Sequence, residues 1–219
     1  AHEIKNPLTP MKLNLQQLLK AWENKDDDLE ERFKKTTQIL ISRINTLSHI
    51  ATEFSAFARM PEARQKVISI DKILKDVAHF YRSTDKILID LKLNSPSSTI
   101  LGDESQLNRA FNNLIRNAFQ ATPESREPKV EISTEQKGDQ LIIGLKDNGK
   151  GIPEELKEKI FLPNFSTKSS GMGLGLAIVK RIIGSANGEI WYETKKNIGT
   201  TFYISFPLYA KEVESDLTD

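Results

Sequence analysis

The chain contains no cysteine. That excludes disulfides, thiolate nucleophiles and cysteine-based zinc sites, and it fits a reducing compartment. Histidine is scarce, with three residues: His2, His49 and His79. No apolar run approaches the length of a membrane span and no signal peptide is visible, so a cytoplasmic chain is expected. An excess of one charge is also missing. Lys and Arg number 31 against 30 Asp and Glu, a net charge of +1, which gives no reason to expect a nucleic-acid partner. What is present suits a folded core: 219 residues, 38% hydrophobic and 28% charged, enough for one large domain or two modest ones. The sequence starts abruptly inside a helical pattern, as an excised piece of a longer protein would. Any membrane attachment would belong to a region absent from it.

The first pattern is helical. Ile4, Met11 and Leu18 form one column of a heptad, and Leu8, Leu15 and Trp22 form another. Asn24 to Asp28 breaks it. A second helix follows, with Phe33, Leu40, Leu47 and Phe54 spaced by seven and Ile44, Ile50 and Phe57 widening the stripe. Two such helices joined by a short polar turn make an antiparallel hairpin. Their stripes are wider than two helices can cover, and a four-helix bundle built from two chains would cover them.

His2 falls on the outer side of the heptad that buries Ile4 and Leu8. An exposed neutral imidazole is a competent nucleophile, and the adjacent Glu3 can take or orient its ring proton. A lone His-Glu pair usually means nothing. The zinc-protease helix needs a second His four residues after the first, and Asn6 stands there, which rejects a metal site. Pro7 is expected to bend the helix one turn on. His49 and His79 read as structural.

The stretch from Asp103 to Thr122 reads as one amphipathic helix. Asp103 is the N-cap, Gln106 completes a capping box, and Leu107, Phe111, Leu114, Ile115, Ala118 and Phe119 form the apolar face. Asn113 and Asn117 share another face. Asparagine is a mediocre helix former, so these are either plain exposed positions or amide ligands for Mg²⁺ carried by nucleotide phosphates.

Around this helix the pattern turns to short strands. Val67 to Ile70 is a strand candidate, Asp71 caps a helix to about Arg82, and Ile87 to Leu93 reads as a half-buried strand. Two hairpins follow, one around Lys137-Gly-Asp139 and one pairing 188–193 with 200–206. Helices on one face of a largely antiparallel sheet make an α+β sandwich.

Three segments between the strands carry glycines or a loop. Asp147-Asn-Gly-Lys-Gly151 follows a strand. Its glycines admit close approach of a flat ligand, and Asp147 can accept from an exocyclic amine, though Asp-Asn-Gly is also plain turn chemistry. Phe161 to Ser170, interrupted by Pro163, reads as a loop. Gly171-Met-Gly-Leu-Gly175 runs into a helix, whose free N–H groups suit phosphates. It lacks the Gly-Lys-Ser/Thr ending of a P-loop, and no βαβ unit surrounds it.

Taken in order, these segments resemble the two-component sensor histidine kinases. His2 to Thr9 looks like the phospho-acceptor box, Asn113 to Asn117 the asparagine box, and Asp147 to Gly151 the first glycine box. Phe161 to Phe165 looks like the phenylalanine box, Gly171 to Gly175 the second glycine box, and Gly199 to Phe202 the closing turn. Pro7-Leu-Thr-Pro10 is closest to the nitrogen-regulation sensor branch. The resemblance implies a homodimerising phospho-acceptor hairpin over 1–60, a linker over 61–66, an ATP-binding α/β sandwich of the gyrase and histidine-kinase type over 67–210, and a tail over 211–219. His2 would take the γ-phosphoryl group of ATP, with Glu3 as acid/base partner and Asn6 orienting water for dephosphorylation of the partner. Asn117 would ligate Mg²⁺ beside Asn113. Asp147 would bind adenine against Gly149 and Gly151. A lid would run from about Pro153 to Met172. Gly171, Gly173, Leu174 and Gly175 would wrap the phosphates, with Lys168 a further cofactor-binding candidate. The phosphoryl group would pass on to an Asp of a response-regulator receiver domain.

One departure stands out. Many family members carry a basic residue three positions after the metal Asn, where this chain has Gln120; Arg116 or Lys168 is left to substitute. Two other readings are a conformational ATPase of the same nucleotide fold and a catalytically silent dimeric module. In the gyrase-like ATPases a water-activating Glu stands where Asn113 stands, which speaks against the first. The intact Asn117, Asp147 and glycines speak against the second.

Overall fold

The computed structural model describes residues 2–26, 28–58, 63–84, 87–163 and 173–210, with the side chains of 2–7, 46 and 49–58 outside the description. The chain divides into two compact units, one holding an N-terminal helical hairpin and the other the sheet.

In the first unit α1 spans His2–Asn24 and α2 spans Leu29–Ala58. The break falls at the Asn24–Asp28 run. Lys25 adopts a φ of 55°, and the Asp26 N–H donates to the carbonyl of Ala21. Arg32 closes the turn by bonding Asp28 over 2.7 Å. α1 continues through Pro7 and Pro10. The two heptad columns separate cleanly in their surroundings. Met11 and Leu18 are half-buried, whereas Leu8, Leu15 and Trp22 are exposed, Trp22 at 68%. On α2, Leu40 and Leu47 are half-buried, and Phe33 and Ile44 are exposed. Each helix therefore carries large apolar side chains in water. His49 lies among the undescribed side chains.

The second unit is a five-stranded sheet in the order β2-β4-β5-β7-β6, with a separate antiparallel pair of β1 (Lys66–Ser69) and β3 (Thr99–Gly102). β2 (Leu88–Leu93) runs parallel to β4 (Lys129–Lys137); the remaining neighbours, β5 (Gln140–Asp147), β7 (Gly199–Pro207) and β6 (Glu189–Lys195), are antiparallel. Both expected hairpins are present. Three helices, α3 (Ile70–Thr84), α4 (Glu104–Ala121) and α5 (Gly175–Ser185), pack on the sheet. Alternate residues of β7, Phe202, Ile204 and Phe206, are buried, as are Val130 and Ile132 of β4, while Tyr203 and Trp191 stack with centroids 5.6 Å apart on the more open face. Phe111, Leu114 and Ile115 of α4 are fully buried. Truncating Phe111 to Ala would cost about 3–5 kcal/mol.

Asp103 is the N-cap of α4, its Oδ1 accepting from the N–H groups of Ser105 and Gln106. Two readings need correction. Asp71 lies inside α3 and does not cap it. The Ser69 hydroxyl, one residue before the helix, accepts from the Lys72 N–H at 3.5 Å, and the Asp71 carboxyl turns to the Ser98 side chain instead. Phe119 is 43% exposed, so the buried stripe of α4 ends at Ala118. His79 is exposed on α3 and takes no part in the core. The strand β3 had no counterpart in the sequence reading.

Candidate nucleotide-binding site

α4 carries both asparagines near its C-terminal half. Asn113 is 7% exposed and Asn117 half-buried. Their four-residue spacing puts them on one face, and the first residue of α5 meets that face. A Cβ built on Gly175 would lie 3.8 Å from Asn113 Oδ1 and 3.9 Å from Asn117 Nδ2. Any larger side chain there would grow into the space the two amides share. The asparagine box and the end of the second glycine box therefore come together, and Gly175 opens α5 with its free N–H groups.

Arg116 joins them. Its Nη2 donates to Asn113 Oδ1 at 3.2 Å, one helical turn away. Gln120, by contrast, lies exposed. Of the two cations left open by the sequence, Arg116 sits at the asparagine box, and Lys168 lies outside the described residues.

The third part of the site is Asp147, the last residue of β5 and 5% exposed. Its Oδ1 accepts from the Gly149 N–H at 2.8 Å and the Thr200 N–H at 3.0 Å. Burial pushes its carboxyl above the usual aspartate range, against those two bonds, which favour the charged form. The glycines around it answer first to the protein's own packing. A Cβ on Gly149 would stand 2.9 Å from Ala121 Cβ, and one on Gly151, at φ +74°, 2.6 Å from the Lys195 carbonyl oxygen. A Cβ on Gly199 would collide with the carbonyl of Asp147 itself. Asn148 acts as a staple: its Nδ2 donates to the Glu127 carbonyl, and its Oδ1 accepts from the Lys129 N–H. The Lys150 N–H donates to the carbonyl of Ala121, the last residue of α4. Ala121 is one turn beyond Asn117, so the Asp147 loop is tied directly to the asparagine helix.

Thr200 was legible only as part of a closing turn, yet its N–H fixes the orientation of Asp147. Its hydroxyl lies 3.0 Å from that of Thr194, which accepts from the Ile152 N–H. Below the loop, Phe161 packs edge-on to Tyr192 and Phe202, and the Lys180 ammonium lies 5.5 Å above its ring. Phe161 is thus anchored in the unit. Phe165 and Gly171 are outside the described residues. Gly173 is described, at φ +64°, and Leu174 is buried. His2, Glu3 and Asn6 lie on α1 with their side chains outside the description.

The fold and these residues define a domain of the ATP-binding kind shared by histidine kinases and gyrase. Residues 102–210 match the family described as histidine kinase-, DNA gyrase B- and HSP90-like ATPase, and residues 1–63 match the His Kinase A (phospho-acceptor) domain. The chain belongs to the two-component sensor histidine kinases. It is 32% identical over 209 residues to a putative NtrY-like sensor histidine kinase of Rickettsia felis, covering 95% of this chain and 35% of that one. The catalytic domain of histidine kinase ThkA superposes with a TM-score of 0.59 at 30% identity, over 66% of this chain and 95% of that one. ThkA in complex with the response regulator protein TrrA gives 0.73 at 26% identity, over 95% of this chain and 60% of that one. The chain thus spans about a third of the length of the Rickettsia relative. Among the described residues no helix is long and apolar enough to cross a membrane.

Proposed function

We propose that this chain is a kinase core that moves the γ-phosphoryl group of ATP to His2 and then to an aspartate of a response-regulator receiver domain. The observation that carries the proposal is the meeting of Gly175 with Asn113 and Asn117, on a helix tied to the buried Asp147. In this reading Asp147 accepts from the adenine amine beside Gly149 and Gly151. Arg116 supplies the positive charge that Gln120 lacks. Gly171, Gly173, Leu174, Gly175 and Lys168 enclose the phosphates.

The donor set fits Mg²⁺ delivered with ATP. Asn117 offers an uncharged amide oxygen, suited to an ion already held by phosphate, and no group of three His, Cys, Asp or Glu among the described residues would hold a metal alone. The ion would neutralise phosphate charge. In the transfer, the bond from the γ-phosphorus to the ADP oxygen breaks as a phosphorus–nitrogen bond forms at His2, and Glu3 takes the ring proton. In the separate phosphatase reaction Asn6 orients the water that hydrolyses the regulator's aspartyl phosphate, releasing inorganic phosphate.

The linker near 61–66 lets the hairpin of 1–60 and the domain of 67–210 meet. The exposed Leu8, Leu15, Trp22, Phe33 and Ile44 support a homodimer through the hairpin, since water-exposed apolar stripes of this size favour burial against a second copy. The test is incubation with γ-labelled ATP and Mg²⁺. Acid-labile, base-stable label is expected in the native chain and absent from His2→Gln and Asn117→Ala. Equal labelling of His2→Gln and the native chain would overturn the assignment of the acceptor.

A further inference from the structure

Two helices hold opposite sides of the nucleotide site, α4 with its asparagines and α5 with Gly175. They run side by side in opposite directions. Their site ends meet where Gly175 faces Asn113 and Asn117. Their far ends meet as well: a Cβ on Gly102, next to the N-cap Asp103, would lie 3.6 Å from Ala186 Cβ, just past α5.

The chain segment leading in from the hairpin crosses those far ends. The Arg64 N–H donates to Asp103 Oδ2 at 2.9 Å, while Oδ1 of the same carboxylate caps α4. The next residue, Gln65, donates from Nε2 to the carbonyl of Ser185 at 2.7 Å. Ser185 closes α5, so this carbonyl is one of those the helix leaves without an internal partner. Lys66 then enters β1 opposite Gly102. Two consecutive residues thus grip one end of each helix, and the eleven residues of α5 carry that grip about 15 Å to Gly175.

We propose that Arg64 and Gln65 form a strap that fixes the spacing of α4 and α5, making Gln65 a positioning residue for the nucleotide site. The effect on ATP rests on the kinase reading above; the effect on the helices does not. Among the described residues that follow α2, the strap is where side-chain and capping bonds to this unit are made. A displacement of Arg64 and Gln65 therefore acts directly on Asp103 and Ser185. Both residues act through the relative position of the two helices they hold.

Three versions of the full chain test this: native, Gln65→Met, which keeps the length and loses the donor, and Gln65→Arg, which keeps a donor. Amide exchange is followed without nucleotide at residues 179–182, whose helical acceptors are the carbonyls of 175–178. Affinity for an ATP analogue is measured alongside. Gln65→Met should speed exchange at those amides and shift the affinity about two- to ten-fold, the scale of one hydrogen bond. Gln65→Arg should match the native chain in both. The strap is refuted if Gln65→Met leaves exchange and affinity unchanged, or if both variants deviate alike, since side-chain shape and not the bond would then be responsible. If the native chain binds no nucleotide, the kinase reading falls, and exchange alone still decides the strap.

Discussion

Arg116 donates to the amide oxygen of Asn113 from three residues further along the same helix, at 3.2 Å. The bond holds a guanidinium at the half-buried end of the asparagine face and occupies an oxygen that would otherwise be open to a cation. In the kinase reading proposed above, this would leave metal ligation to Asn117 and make Asn113 the partner of a charge that faces phosphate.

Arg116→Gln is therefore expected to weaken ATP binding by about tenfold or more, the scale of a lost charge-assisted contact, and to leave adenosine binding unchanged. Adding Gln120→Lys to the same chain should recover part of the loss. Titration calorimetry with ATP and adenosine separates the two. An equal loss for both ligands would mean that Arg116 acts on the fold and not on phosphate.

Asp147 gives a pH signature. Burial raises its carboxyl above the value it has in the unfolded chain, so the folded state binds the proton more tightly. Native stability should consequently fall as pH rises from about 4 through the raised value, relative to Asp147→Asn, whose side chain does not titrate. Thermal melts of both chains from acidic to neutral pH check this. ATP binding should move the opposite way, tightening over the same range as the carboxylate forms, and Asp147→Asn should bind ATP at least about tenfold more weakly, because its amide presents a donor to the adenine amine.

Asp103 should behave in the reverse sense. Its hydrogen bonds, that from Ser105 first, hold the carboxyl below its ordinary value. It stabilises the fold above about pH 4, and that contribution disappears as pH falls through the lowered value. At neutral pH Asp103→Ala should cost about 1 kcal/mol, as loss of an N-cap does, with a further contribution from the orphaned Arg64 N–H. Urea unfolding at neutral pH and below pH 3 measures both; the difference between the two chains should shrink in acid.

The hairpin makes a separate prediction. Leu15→Glu with Trp22→Glu places charge on side chains that are 51% and 68% exposed in one chain. If a second copy covers them, sedimentation should show the mass halved while nucleotide affinity stays native. An unchanged mass would move the dimer contact elsewhere.

Much of this was readable before any coordinates, for reasons that differ by element. The α4 stripe and its Asp103 cap are local properties of consecutive residues, and local periodicity reports them well. Asn113, Asn117 and Gly175 were legible because their chemistry is unusual for a helix face or a helix start. The misses are long-range or short. Thr99 to Gly102 is too brief a run to show a period, and its pairing with Lys66 to Ser69 closes over thirty residues or more. Phe119 failed because periodicity gives an angle around the helix but not how far neighbouring elements reach along it. Asp71 was read as a cap although Ser69 stands one position before the helix. The bond from the Arg64 N–H to Asp103 involves a backbone group, which no sequence pattern marks.

The two tryptophans fall one to each unit: Trp22 on the hairpin, and Trp191 on the sheet against Tyr203. The molecule therefore carries its own pair of optical probes. Emission from Trp22, open to solvent in a single chain, would shift to the blue when that surface is covered. Trp191, in contact with a tyrosine ring, would report the melting of β6 and β7. Two single-tryptophan variants would let fluorescence follow association of the hairpin in one and unfolding of the nucleotide domain in the other.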